Sequence, residues 1–166
     1  MKMALLLRVV SIPKWVRPDW MAAEDVPADA LTDLRATNNE LSVWRVQGDD
    51  ANLQMVLTAV ASSRKGLDKL DYTLLDEASL PAIPVRVERS EGNTPHVKAN
   101  TSVHCDLVEL TVQKVARLAH EMMPLTRVRV SEKTVKGLLL DALHTSALDR
   151  ARLDPKLLAE LEPTAS

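Results

Sequence analysis

The chain has no phenylalanine, one tyrosine and three tryptophans, so aromatic residues make up 2% of it. Its core must therefore be filled by Leu, Val, Ala, Met and Ile, and few rings remain on which bases or sugars can stack. That weighs against binding of single-stranded nucleic acid on an aromatic platform. Cysteine is equally scarce. Cys105 stands alone, which rules out an internal disulfide and fits a reducing compartment, so a cytoplasmic location is expected. The four glycines build no glycine-rich phosphate loop, which counts against the familiar nucleotide folds. Also missing is any run of about 18 apolar residues, the length a membrane-crossing helix needs. The apolar stretch from Ala4 to Leu7 is closed by Arg8, well short of a signal peptide, and no membrane association is expected. Neither sign of charge dominates. With 21 Lys and Arg against 23 Asp and Glu, the net charge is -2, so no global field draws the molecule to nucleic acid or to an anionic membrane.

What is present is an ordinary globular balance: 46% hydrophobic and 27% charged residues in a chain of 166. One domain spanning 1–166, with a full core, is the expected organisation. The stretch 41–76 organises the rest. Leu41 to Val46 reads as a strand, Gly48-Asp49-Asp50 as a turn, and Leu53, Val56, Leu57 and Val60 as the buried stripe of a helix ending near Ser63. Tyr72 to Leu75 reads as a second strand. Two strands joined through a helix of this length are most simply parallel neighbours, a βαβ unit with the helix on one face.

Around that unit, Ala4 to Val10 has the aliphatic character of a strand. The Pro13 to Pro18 stretch excludes a regular element, and Trp15 and Trp20 beside it are expected to lie over a core edge. Pro27 to Arg35 suggests a short helix with Leu31 and Leu34 turned inward, stopped by Thr37-Asn38-Asn39, since Asn tolerates the left-handed backbone a helix end needs. Val85 to Arg89 alternates as a half-buried strand. Prolines and glycine make 78–105 the least regular segment. Asp106 is placed to cap a helix running to about Met123, Arg127 to Val130 to form a short strand, and Ser131 and Asp154 to cap two further helices, the last with Leu153 stapled onto Leu158. The expected fold is thus α+β or α/β, with a small mixed sheet of about four or five strands and about four or five helices over it.

Three groups carry possible chemistry. If both strands of the 41–76 unit finish on one sheet edge, Asp49 and Asp50 after the first and Asp76 and Glu77 after the second converge there. Hard oxygen ligands gathered in this way suit Mg²⁺ and phosphate or hydrolytic chemistry; the same residues also serve as helix caps and turn formers. His96 with His104 and Cys105 supplies an imidazole, a thiol and, in Asp106, a carboxylate, the groups of a nucleophilic or metal site. Neighbours on an extended chain point to opposite faces, so His104 is poorly placed to activate Cys105. The third group is basic. Arg127, Arg129, Lys133 and Lys136 follow Lys114 and Arg117 and offer a phosphate-binding patch. His120-Glu121 is a lone pair on a helix face and not a two-histidine zinc motif.

None of these groups exceeds what ordinary structure requires. The leading expectation is therefore a non-enzymatic interaction or accessory protein, binding another protein or itself, with no cofactor. It is motivated by the broad apolar surface of the 106–123 helix and by leucines near the C terminus. A Mg²⁺-dependent enzyme at the carboxylate edge and a nucleic-acid-binding module at the basic patch are the alternatives.

Overall fold

A computed structural model describes residues 3–164. Its architecture is α+β: one sheet of six strands in the order β4-β5-β2-β1-β3-β6, with every neighbouring pair antiparallel. The strands are β1 (Leu5–Val9), β2 (Leu41–Val46), β3 (Leu70–Asp76), β4 (Arg86–Arg89), β5 (His104–Val108) and β6 (Arg127–Val130). The helices are α1 (Asp50–Ser62), α2 (Val97–Ser102), α3 (Val112–Met122), α4 (Glu132–His144) and α5 (Pro155–Leu161), with 3-10 helices that include Ala28–Leu34. No described helix is long and apolar enough to cross a membrane.

The expected βαβ pairing is corrected in one respect. β2 and β3 do run in the same direction and end at the same edge, but they are not neighbours and the sheet is not mixed. β1 lies between them, with Leu5 opposite Val46 on one side and Asp76 on the other. The reason is visible in β1 itself. Successive residues of a strand face opposite sides of a sheet, and here Leu6 and Leu7 are both 0% exposed. A strand apolar at both parities belongs in the middle of a sheet covered on both faces. β4 and β6 instead alternate charged with aliphatic residues (Arg-Val-Glu-Arg and Arg-Val-Arg-Val) and form the two edges, where charge also discourages further pairing.

Each face has its own core. Leu6, Val43, Leu75, Cys105 and Leu107 point to one side, where Trp15, the Ala28–Leu34 helix and α3 close over them. Leu7, Trp44, Val46 and Tyr72 point to the other, beneath α1, α4 and α5.

Two further expectations are revised. The helix expected to start at Asp106 is strand β5 as far as Val108, and α3 begins only after Thr111, whose hydroxyl accepts from Lys114 N–H. Glu109 between them takes φ +56°, which ends the strand, and Leu110 N–H is held by Asn39 C=O at 2.9 Å. The segment 78–105 is more regular than its prolines suggest, since it holds β4, α2 and the start of β5. Local signals read correctly elsewhere. Asp49, Ser131 and Asp154 each accept a backbone N–H at the start of their helices, and Asn38 and Asn39 take the left-handed backbone of a tight turn between Thr37 and Glu40.

The loop that closes the first core is tied down by one carboxylate. Asp33 accepts from Ser11 N–H at 2.8 Å, Trp15 Nε1 at 2.8 Å and Lys14 Nζ at 3.3 Å, while Arg8 donates from Nε and Nη2 to Asp33 C=O and from Nη1 to Ser42 C=O. Trp15 is thereby 1% exposed and fully inside. Asp33→Ala leaves three donors without their acceptor, one of them a buried indole N–H, and is expected to cost about 2 to 4 kcal/mol. Urea unfolding should show a lower midpoint with an unchanged slope, whereas Asp29→Ala, an exposed carboxylate on the same helix, should stay within about 0.5 kcal/mol. A loss below about 1 kcal/mol for Asp33→Ala would mean that this carboxylate does not hold the loop.

Candidate functional site

The residues expected to form a carboxylate edge are each engaged separately. Because β2 and β3 end together, Arg45 of β2 reaches Glu77 after β3 through two hydrogen bonds, Nε to Oε2 at 3.1 Å and Nη2 to Oε1 at 2.8 Å. Asp49 caps α1 through Asn52 N–H at 2.7 Å, and Asp76 caps the following 3-10 helix through Ala78 N–H at 2.9 Å. Asp50 lies in the first turn of α1, where a negative charge suits the helix N-terminus. No three His, Cys, Asp or Glu side chains gather at metal-binding distance among the described residues.

The imidazole and thiol groups separate as strand alternation requires. Cys105 is buried in the core beneath α3, and that burial pushes its thiol pKa up. His104 lies on the opposite face, edge-on to Trp44 with ring centroids 4.7 Å apart, and its Nδ1 meets Ser90 Oγ at 2.8 Å. His96 belongs to neither. It is the N-cap of α2, accepting Ala99 N–H at Nδ1 (3.2 Å), so its remaining ring proton sits on Nε2. Nothing in the sequence marked the partners of this histidine. Asn100 Oδ1 accepts from Thr94 N–H at 3.0 Å and Thr94 Oγ1 at 2.7 Å, and Asn100 Nδ2 donates to Thr94 C=O at 2.7 Å, a closed buried network. Gly92 is required beside it, because a Cβ there would stand 2.9 Å from Asn100 Oδ1.

The basic patch divides between the two layers. Arg129 is bound bidentately to Asp71 at 2.7 and 2.9 Å, an arrangement that holds the Asp71 carboxyl below its ordinary pKa. Arg127 lies 5.6 Å from the Trp15 ring centroid and donates to the carbonyls of Met122 and Met123 at the end of α3. Lys133 and Lys136 sit on α4, which covers the other face of the sheet. Arg129 also borders a polar cleft of about 510 Å³ with Arg64, Lys69 and Lys156. There Lys69 pairs with Asp68, Lys156 with Glu160 and Arg129 with Asp71, so three carboxylates face four cations and the cleft carries no large excess of positive charge.

The feature with the least internal explanation is an apolar groove between the Ala28–Leu34 helix and α3. Ala30 and Leu34 turn into the core, but Leu31 remains 44% exposed, and Val112 at the start of α3 is 82% exposed. Between them lies a hollow of about 310 Å³. A second of about 350 Å³ continues past Leu31 and Ala116 to Val26 and to Trp20, which is 81% exposed. Trp20 therefore does not close over the core as expected from its loop. The C-terminal leucines expected to seek a partner are also corrected, since Leu153, Leu157 and Leu161 are buried within the chain's own second core. His120 borders the groove and Glu121 is exposed, both on the helix face expected of them. Neither partner of the groove identifies it from sequence, because Leu31 and Ala116 meet only through the fold.

Compared with protein-family models, curated proteins and solved structures, the chain matches none.

The two buried histidines predict a pH dependence. Burial disfavours the imidazolium and lowers both pKa values below the ordinary 6.5. The unfolded chain therefore takes up protons that the folded chain resists, so stability is full above that range and declines as pH falls below it. The urea midpoint is expected to drop between about pH 7.5 and about pH 5.5, above the range where carboxylates titrate. His96→Asn with His104→Gln should flatten that response, Asn being a good N-cap in its own right. An unchanged response in the double variant would place its origin in other groups.

Proposed function

We propose that this is a non-enzymatic interaction or accessory protein that acts by seating another protein in the groove between α3 and the Ala28–Leu34 helix. The observation that carries the reading is the groove itself. Val112 and Trp20 are exposed in two adjoining hollows that share Leu31 and Ala116, and clustered apolar exposure of this kind marks contact sites where scattered exposed residues do not. The polar clusters support the same reading by being internally satisfied. Asp49 and Asp76 cap helices, Glu77 and Asp71 hold arginines, and His96 caps α2. A cytoplasmic setting belongs to the proposal and agrees with the lone buried thiol of Cys105.

The test is photo-crosslinking in cells native to the protein, with a benzophenone amino acid at Val112, at Trp20 and, as a control on the opposite layer, at Lys133. A discrete adduct of one identified protein at Val112 and Trp20, absent at Lys133 and lost when Ala116→Gln is added, is the expected result. Adducts equal at all three positions, or none at the groove, would overturn the reading.

A further inference from the structure

The two buried histidines differ in what a proton does to them. His96 and His104 each make their ring contact through Nδ1. His104 meets Ser90 Oγ there, and a hydroxyl accepts as readily as it donates. Charged His104 therefore keeps the contact by reversing it, and Asp106, two residues along on the same face of β5, favours the charge. His96 has no such freedom. Its Nδ1 accepts from Ala99 N–H at 3.2 Å, and a backbone amide nitrogen only donates. An imidazolium carries a proton on both nitrogens, so charging His96 sets one donor against another and removes the N-cap of α2.

α2 is poorly equipped to lose its cap. Val97–Ser102 is six residues long, well below the length at which a helix holds without help. Its other supports pass through the same few groups. Asn100 N–H donates to His96 C=O at 3.1 Å and Gly92 N–H to Asn100 C=O at 3.0 Å, while the Asn100 side chain holds Thr94, whose hydroxyl accepts from His96 N–H at 3.1 Å. A His96 ring turned outward leaves Ala99 N–H without its acceptor at a residue that is 0% exposed, and an unmade buried hydrogen bond is costly. Beyond α2 the chain is tied independently. Pro95 C=O accepts from Asp149 N–H and Val103 C=O from Arg45 N–H, both at 2.8 Å, so an opening is bounded by those two residues.

The charges on the surrounding elements do not offset an imidazolium at this place. Lys98 on α2 itself bears on His96 and opposes a second positive charge. Of the nearby carboxylates, Asp149 accepts from Ala151 N–H and Asp106 from Ser42 Oγ. Asp50 is the one charged residue of α1, which packs on α2, and it lies in the first turn of that helix. Arg89 donates to Thr101 C=O and Arg152 to Asn93 Oδ1, adding positive charge on either side.

We propose that His96 is a proton-operated catch: when its ring takes up a proton, α2 unwinds between Pro95 and Val103 and uncovers the part of the second core that holds Ala99 and Trp44, while the sheet stays folded. His104 is not the trigger, although it is buried against the same tryptophan.

Amide hydrogen exchange on the whole protein, corrected at each pH for the intrinsic exchange rate, tests this. Between about pH 6.5 and about pH 5.5, protection at Ala99 is expected to fall by about tenfold per pH unit, the slope of one proton taken up on opening, and to stay below that of the β1 and β3 amides throughout. His96→Asn, which keeps a cap without the titration, should flatten the fall at Ala99, and His104→Gln should leave it in place. Equal protection at Ala99 and in the strands would make the event global unfolding and overturn the proposal. So would a fall that survives His96→Asn or vanishes with His104→Gln. Should a variant fail to fold, the nitrogen-15 shifts of the wild-type ring decide: Nδ1 is expected to be free of a proton at about pH 7.5 and to titrate together with the Ala99 amide, and a neutral ring protonated on Nδ1 would overturn the catch.

Discussion

The structure depends on a single strand buried on both sides. β1 puts Leu6 and Leu7 wholly out of water in opposite directions, so both faces of the sheet must be covered and the chain must supply two cores. Burying a leucine is worth about 2 to 3 kcal/mol relative to exposure, and neither face can be left bare without forfeiting that on several residues at once. From this follow the division of labour among the helices and the location of every candidate site. α1, α4 and α5 are occupied with one face. The other has less helix to cover it and uses Trp15, a 3-10 helix and α3.

That second cover is the reason for the polar work done by Asp33, Arg8 and Asp71. A 3-10 helix and its leading loop bring few backbone hydrogen bonds to the sheet, so side chains must fix them in place. Asp33 gathers three donors, Arg8 ties the Asp33 carbonyl to β2 through Ser42, and Asp71 of β3 accepts from Ile12 N–H while holding Arg129. Of the residues that suggested chemistry in the sequence, Arg129 joins this arrangement through Asp71 and Arg127 through the Trp15 ring. A half-buried bidentate pair such as Asp71 with Arg129 is costly to break by removing one partner, because the remaining charge stays partly desolvated.

Legibility in the sequence followed the range of the interactions involved. α1 with a cap at Asp49 or Asp50, the left-handed backbone at Asn38 and Asn39 and the caps of α4 and α5 depend on residues within a few positions of one another, and each was readable. The partnership of β1 with both β2 and β3 joins residues some forty and seventy positions apart, and strand periodicity carries no record of who sits beside whom. The failure at 106–111 has a different cause. Residues 107, 108 and 110 are apolar at both parities, so helix and strand periods both fit, and Asp106 resembled a cap. In fact it accepts from Ser42 Oγ across the β2–β5 pairing at 3.1 Å. What decided the matter was Glu109, a residue with no visible preference for the positive φ it adopts. Strand direction puts the ends of β2 and β3 at one edge, but no three of Asp49, Asp50, Asp76 and Glu77 gather there among the described residues, and the pairing of Glu77 with Arg45 had no signal in the sequence.

The groove follows from the chain's shortage of aromatic residues. Where α3 meets the Ala28–Leu34 helix, the side chains available are small: Ala28 and Leu31 on one wall, Val115, Ala116 and Ala119 on the other. Ridges of small residues let another helix approach closely, and interhelical distance is set by what stands at the contact. A phenylalanine at 116 would fill the hollow from within and leave nothing to dock. With alanine there, the aliphatic core stops short of the surface between the two helices, and Leu31 and Val112 stay in contact with water on either side of it.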